Sequence, residues 1–374
     1  VRLLLVTPGF SAAEEDWCIP ALHHLVRHLA RRHEVTVLAL RHPPRRDEYR
    51  FFGARVVPLA AGTRTGPARA ALLVQAVATV RREHRRAPLD AVHGLWADEA
   101  GAVAALAATT LGVRSVVSVM GGELVGLPDI GYGVQLGRTG RWLVRRSLDA
   151  ADVVTVGSEA LLAPVRALRG ARPVRLAPLG VDPDLFRPEG DHAPLDGEPC
   201  LVQVASLTPV KGQQLLLEAF ARLRADVSGA HLHLVGDGPL RSPLTDLARN
   251  LGVGAAVHLH GAVPHDRLPA LYRSADLHVQ SSRFESQGMA VVEAAACGTA
   301  TVGTATGILP ELERDGAART VTVRDPVVLA AALQEALYDR GRALGASARA
   351  RVLADLTLER CVERLERVYS GDQG

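Results

Sequence analysis

Residues 200–212 read Cys200-Leu201-Val202-Gln203-Val204-Ala205-Ser206-Leu207-Thr208-Pro209-Val210-Lys211-Gly212. Residues 230–240 repeat the arrangement as Ala230-His231-Leu232-His233-Leu234-Val235-Gly236-Asp237-Gly238-Pro239-Leu240. Each is a short, largely apolar run that breaks into a turn built on Pro or Gly and opens a helical stretch. The pattern continues with strands at 256–260, 276–280 and 299–302 and helices at 212–225, 240–251, 266–274 and 288–297. Such runs, alternating with helices, predict a parallel, doubly wound sheet covered on both faces. Helical stretches from 326 to 369 close the chain.

The same alternation precedes it. Strands are expected at 2–6, 34–40, 55–59, 90–93, 114–120, 152–156 and 174–177, and helices at 18–32, 67–86, 98–111, 138–148 and 158–168. Residues 178–199 are rich in Pro, Asp and Gly and carry little periodicity, as a linker does. The expected organisation is therefore a domain over 1–180, a linker over 181–199 and a second domain over 200–374, whose last helices are free to pack back on the first. In doubly wound sheets ligands sit outside the carboxyl ends of the strands, so the loops after strands are where chemistry is sought.

Composition narrows the class. The chain has 374 residues, enough for two cores, with 48% hydrophobic and 22% charged residues. No apolar run approaches the length of a membrane-spanning helix. Val1–Val6, ending in Thr7-Pro8-Gly9, reads as a buried first strand and not as a signal peptide, which points to a cytoplasmic protein. A formal charge of +3 is too small to imply nucleic acid as a partner. Arg27, Arg31, Arg32, Arg41, Arg45, Arg46 and Arg50 form an early basic run, either a solvated helix face or a patch for anionic lipid or substrate. Peripheral membrane contact is the most this charge suggests. Cys18, Cys200, Cys297 and Cys361 lie far apart and read as reduced thiols. His231/His233 and His258/His260 alternate along strands with no ligand set beside them, so no metal site is expected.

The densest chemistry lies in Ser282-Arg283-Phe284-Glu285-Ser286-Gln287-Gly288-Met289-Ala290-Val291-Val292-Glu293-Ala294-Ala295-Ala296-Cys297-Gly298. Glu285 stands in the loop before a helix and Glu293 inside it, among apolar neighbours. A helix apolar around its girth is buried, and a buried carboxylate needs partners: a core arginine, or hydroxyl donors of a ligand. The free amides of Gln287, Gly288 and Met289 at the helix start favour an anion, although Ser286 is also a good cap. Lys211 is the sole lysine of a chain that uses arginine everywhere else. A compact ammonium kept at a turn before a helix suits an anionic ligand better than a guanidinium would. Gly236 and Gly238 make a third strand-to-helix turn.

Together these segments resemble the family 4 glycosyltransferases, retaining enzymes of the GT-B fold, in which two Rossmann-like doubly wound domains face each other across a cleft. The resemblance runs through Gly180-Val181-Asp182 and Phe186-Arg187-Pro188 and is strongest over 200–312. It implies that Glu285 meets the donor sugar and Glu293 the nucleotide ribose. Lys211 would neutralise the diphosphate, and Ser206, Gly236, Gly238 and the amides of 287–289 would line the donor site. The donor is a nucleotide-diphosphate sugar used as co-substrate, with no resident cofactor and no metal, and the acceptor is a small or lipid-linked molecule held by the N-terminal domain. Gly9, His93, Asp98, Gly121 and Glu123 are the acceptor-side candidates. One departure stands out: where the family usually carries an arginine five residues before the lysine, this chain has Ser206. A sugar-nucleotide epimerase, a phosphorylase-like enzyme and a catalytically silent sugar-nucleotide-binding subunit stay open on these residues. Oligomeric state leaves no mark on the sequence.

Overall fold

The computed structural model describes residues 1–371, without the side chains of 339–342. It divides into two compact units: Val1–Gly180 together with the segment from Leu358 onward, and Val181–Thr357.

In the first unit the strands are β1 (Arg2–Gly9), β2 (Glu34–His42), β3 (Tyr49–Phe51), β4 (Ala54–Pro58), β5 (Ala91–Leu95), β6 (Arg114–Val119), β7 (Val153–Val156) and β8 (Val174–Leu176). They form one sheet in the order β3-β4-β2-β1-β5-β6-β7-β8. The helices between them are α1 (Pro20–Leu29), α2 (Gly66–Arg86), α3 (Glu99–Leu111), α4 (Arg138–Ala150) and α5 (Leu162–Arg169). Alternation along β1 shows why the sheet is covered twice. Leu3 and Leu5 join a core with α1, whereas Leu4 and Val6 join another with α2 and α3. The register Leu4↔Thr36 on one side and Leu4↔Val92 on the other leaves β1 fully paired.

The second unit holds β9 (Cys200–Val204), β10 (His231–Val235), β11 (Val257–Gly261), β12 (Leu277–Gln280), β13 (Thr301–Thr304) and β14 (Ala318–Val321). All neighbours are parallel, in the order β11-β10-β9-β12-β13-β14. Its helices are α6 (Gln213–Asp226), α7 (Arg241–Asn250), α8 (Leu268–Ser274), α9 (Met289–Ala296), α10 (Leu309–Arg314), α11 (Pro326–Glu335) and α12 (Gly341–Asp355). Leu201 packs with α6, α7 and α11, and Val202 with α8, α9 and α12. The final helix, α13 (Leu358–Ser370), returns to the first unit, where Cys361, Val362, Leu365, Val368 and Tyr369 complete the core beneath α1.

The expected alternation is present, with differences of physical interest. β3 pairs antiparallel with β4, a hairpin turned at Phe52 and Gly53, both with positive φ. The sequence reading missed it because three residues are too few to show a period. α1 begins at Pro20, which serves as its first helical residue, and not at 18. α10 and β14, each short, were also missed. Residues 181–199 are not an open tether: Phe186 is fully buried, and the Val181 amide donates to the Leu356 carbonyl at 2.9 Å. The closing helices divide, α12 with the second unit and α13 with the first. Among the described residues no helix is long and apolar enough to cross a membrane.

Candidate functional site

In the second unit the strand order reverses direction between β9 and β12, the switch point at which doubly wound sheets leave a crevice. The loops leaving these two strands carry Ser206–Gly212 and Ser281–Gly288. They are sewn together by backbone: the Arg283 amide donates to the Val210 carbonyl at 2.7 Å, and Ser281 Oγ donates to the Lys211 carbonyl at 3.0 Å. Gly212 has φ +68°, and a Cβ there would lie 2.1 Å from the Ser281 carbonyl oxygen, so only glycine allows this approach.

That seam brings Lys211 and Glu285 together. Lys211 Nζ donates to Glu285 Oε1 at 2.6 Å, and Ser282 Oγ donates to the same oxygen at 2.7 Å. The pair is half-buried, with side chains 26% and 13% exposed. Beside it Gly288 precedes α9 as its N-cap, with a φ of +92° that belongs to glycine, and a Cβ added there would meet Gln280 Oε1 at 2.8 Å. Gly288 and Met289 line, with Lys211, Ser282 and Glu285, a cavity of about 40 Å³. That volume suits a water, so a larger ligand would lie over its mouth. Gln203 Oε1 and His278 Nε2, both buried, border the same cavity and have no hydrogen-bond partner. Burial lowers the His278 pKa to about 3, so its imidazole is neutral. Neither residue stands out in sequence, because their significance comes from facing the cavity.

Glu293 lies within α9 itself. It is buried, and it accepts from Tyr272 Oη at 3.0 Å and shares a 2.9 Å hydrogen bond with His265 Nε2. Its carboxylate is therefore held by α8 and the turn before it, with histidine and tyrosine in the place where a core arginine was the expected protein partner. Gly236 and Gly238 have φ of +138° and +158°, and added Cβ atoms would lie 2.0 Å from the Ala205 oxygen and 2.5 Å from the Leu207 oxygen. Both let the turn after β10 press against the 205–207 backbone. Gln287 is buried, and its carbonyl accepts from the Ile308 amide at 2.8 Å. Ser206 is exposed and offers no charge. Arg324, which sequence reading passed over, brings its guanidinium Nη2 to 3.2 Å from where a Cβ on Gly212 would stand. The turn that carries Lys211 thus has a second cation near it.

In the first unit Glu123 is fully buried and accepts from the amides of Ala97, Met120 and Gly121 at 3.1, 3.0 and 2.6 Å. Burial raises its pKa, and the amide hydrogen bonds oppose that rise. It ties together the loops after β5 and β6. Trp96, at φ +78°, bends the first of these loops, and its indole Nε1 would lie 3.0 Å from a Cβ on Gly121. Asp98 caps α3 by accepting from the Ala100 amide at 3.2 Å, and burial raises its pKa. Gly9 ends β1, where a Cβ would meet His42 Cβ at 3.2 Å.

His93 lies in the core. Its Nδ1 shares a 2.8 Å hydrogen bond with the Tyr369 hydroxyl and its Nε2 a 2.7 Å bond with Ser118 Oγ, so neither nitrogen is left for an acceptor. The early arginines disperse into separate contacts. Arg41 pairs with Glu99, Arg45 with Asp47 and Arg32 with Glu366, while Arg27 lies over the Phe52 ring. His231 and His233 pair with His258 and His260 through 2.9 Å ring hydrogen bonds. Among the described residues no group of three or more His, Cys, Asp or Glu side chains is placed to hold a metal ion.

Comparison with known proteins divides at the same point. A family model described as glycosyl transferase 4-like domain matches residues 19–182, and one described as glycosyl transferases group 1 matches residues 189–352. A relative in Mycobacterium tuberculosis, named GDP-mannose-dependent alpha-(1-6)-phosphatidylinositol monomannoside mannosyltransferase, is 33% identical over 250 residues. That match covers 62% of this chain and 65% of the relative, so it leaves about a third of the relative's length unmatched. The protein of the same name in Mycolicibacterium smegmatis is 29% identical over 367 residues, covering 93% of this chain and 92% of the relative. Among solved structures, the sucrose-phosphate synthase of Thermosynechococcus elongatus superposes with a TM-score of 0.83 at 23% identity, covering 99% of this chain and 98% of that one. With a matching family model on each half and a doubly wound sheet in each unit, the chain belongs to the family 4 glycosyltransferases of GT-B fold.

Proposed function

We propose that this protein transfers a hexose from a nucleotide-diphosphate sugar to an acceptor hydroxyl, retaining the α configuration of the donor. The observation that carries the reading is the Lys211–Glu285 pair at the switch point of the second sheet, beside the start of α9. A donor diphosphate binding there would draw Lys211 away from Glu285, freeing the carboxylate to meet the sugar hydroxyls. The C1–O bond to the diphosphate breaks as the acceptor oxygen bonds to C1 on the same face. The acceptor proton passes to the departing phosphate oxygen, and the nucleoside diphosphate leaves. Charge growing on that leaving group is stabilised by Lys211 and the amides at 288–289, with Arg324 supplying the second cation that Ser206 does not. Glu123 holds the two loops of the first unit through which an acceptor is recognised, with Gly9, Asp98 and Gly121 around them.

The donor and acceptor are proposed from the mycobacterial relatives, whose names specify GDP-mannose and a phosphatidylinositol mannoside. The test is product analysis with GDP-mannose and with uridine-diphosphate hexoses, each with and without an inositol-containing acceptor. A glycosylated acceptor and one equivalent of nucleoside diphosphate support the reading. An isomerised nucleotide sugar, or donor binding without turnover across the panel, overturns it. Excess chelator is expected to leave the initial rate unchanged, because Lys211 and the α9 amides supply the positive field. Loss of activity restored by magnesium or manganese contradicts that site.

A further inference from the structure

In the first unit, α3 packs between α2 and α4, so the three helices form one layer on the sheet. Their outward surface departs from the rest of the molecule in charge. α2 and α4 carry nine arginines, and the three helices together hold three carboxylates, a formal +6 where the whole chain has +3. Two of those carboxylates, Glu83 and Glu99, are buried, so Asp149 is the acid nearest the surface.

The same layer exposes apolar side chains. Val74 on α2 is 71% exposed, Leu106 on α3 55%, and Trp142 on α4 57%, with Leu136 just before α4 at 42%. On α4, Arg138, Arg141, Trp142 and Arg145 fall at i, i+3, i+4 and i+7, one outward stripe, while Leu143, Val144, Ser147 and Leu148 point into the unit. The Arg146 guanidinium stands 5.8 Å from the centre of the Trp142 ring. Beyond α2 an open cavity of about 810 Å³ is lined by Arg46, Arg64, Arg82, Arg85 and Arg86, with Glu48 as its one carboxylate. Arg46, Arg64 and Arg85 have no carboxylate partner among the described residues.

We infer that this helical layer docks on an anionic lipid surface. Guanidinium groups pair with lipid phosphates, and an exposed indole settles at headgroup depth, where one part of the ring is wet and the rest apolar, while exposed leucine and valine on the same layer add apolar area. Nucleic acid would use the arginines but gains nothing from Val74, Leu106 and Leu136. The layer lies wholly within the first unit, shares no residue with the proposed donor site, and its test reads binding without turnover.

The experiment is sedimentation of the full chain with vesicles of phosphatidylglycerol and phosphatidylcholine in equal parts, against phosphatidylcholine alone. Binding to the anionic vesicles only, falling steeply with salt, is expected. Arg141→Gln with Arg145→Gln should lower the partition about 25-fold, roughly fivefold per arginine removed. Tryptophan emission should shift to the blue on adding anionic vesicles, and Trp142→Phe should abolish that shift. Melting curves establish that the variants fold, and Trp142→Ala serves as a second probe if the arginine pair does not. Equal affinity for neutral vesicles, failure to bind, or binding unmoved in folded variants overturns the inference. So does a wild-type dimer that ignores vesicles and is dissolved by Trp142→Ala, or duplex DNA captured in preference to vesicles.

Discussion

Lys211 and Glu285 meet at 2.6 Å although 74 residues separate them, and their neighbours fix the distance through backbone contacts that leave the side chains little choice. Lys211→Ala should sharply slow sugar transfer while the protein still folds. Losing one such charge-stabilising donor costs about 2.7–4 kcal/mol in the barrier, a rate loss of about 10²–10³. Lys211→Arg should also be impaired, since a planar guanidinium cannot replace a point charge in a half-buried slot. Near-wild-type turnover in a folded Lys211→Ala protein rejects the site. The two glutamates should part company in the same assays. Glu285→Gln is expected to keep the melting temperature and lose kcat. Glu293→Gln presents an amide where Tyr272 and His265 need an acceptor, and should lose about 1–3 kcal/mol of stability. A Glu293→Gln protein that melts like wild type contradicts the buried network. Lys211 and Glu285 were legible in the sequence because a sole lysine and an isolated loop carboxylate stand out without a structure. The partners of Glu293 were not, since His265 and Tyr272 lie 28 and 21 residues upstream and converge only when α8 packs on α9.

Strands β5 and β12 each bury a histidine, His93 and His278, whose pKa burial lowers to about 3 from the usual 6.5. The sign follows from which state takes up protons. Below 6.5 the unfolded chain protonates these rings while the folded chain does not until about 3. Their contribution is therefore complete above 6.5 and is lost as the pH falls through that window, by at most about 1.4 kcal/mol per pH unit for each ring. Urea midpoints should fall steadily from pH 7 to pH 5, and His93→Asn should flatten the slope. A midpoint indifferent to pH would show that the rings are solvated. At this scale the sequence was largely transparent, because β9, β12 and their partners are apolar runs punctuated by Gly and Pro. What escaped it was brief or lacked period: β3, α10 and β14 are three, six and four residues long. The exposed stripe of α4 was hidden differently, since only packing tells which face of an arginine-rich helix turns outward.

The second unit is a single continuous segment, whereas the first is assembled from two pieces, Val1–Gly180 and the return that starts at Leu358. α13 fills the space beneath α1 with Cys361, Val362, Leu365, Val368 and Tyr369, and the Tyr369 hydroxyl reaches His93. Truncation before Leu358 should therefore unfold the first unit and leave the second able to fold. Limited proteolysis is expected to degrade residues before 180 and to spare 181–357, and protection of both halves would refute the docking of α13. Two domains could be read from the repeated alternation, but the division of the closing helices could not, because α12 shows no clear apolar face and the apolar face of α13 does not say which core takes it. The split also sets a schedule on the ribosome. The polypeptide for the first sheet emerges early, yet its last helix follows only after the whole of the second unit has been made. At about 5–20 residues per second that interval is roughly 10–35 s. Throughout it the apolar groove awaiting α13 is open to chaperones and to neighbouring nascent chains, so a slow stretch of codons after residue 180 would lengthen that exposure and lower the yield of native protein.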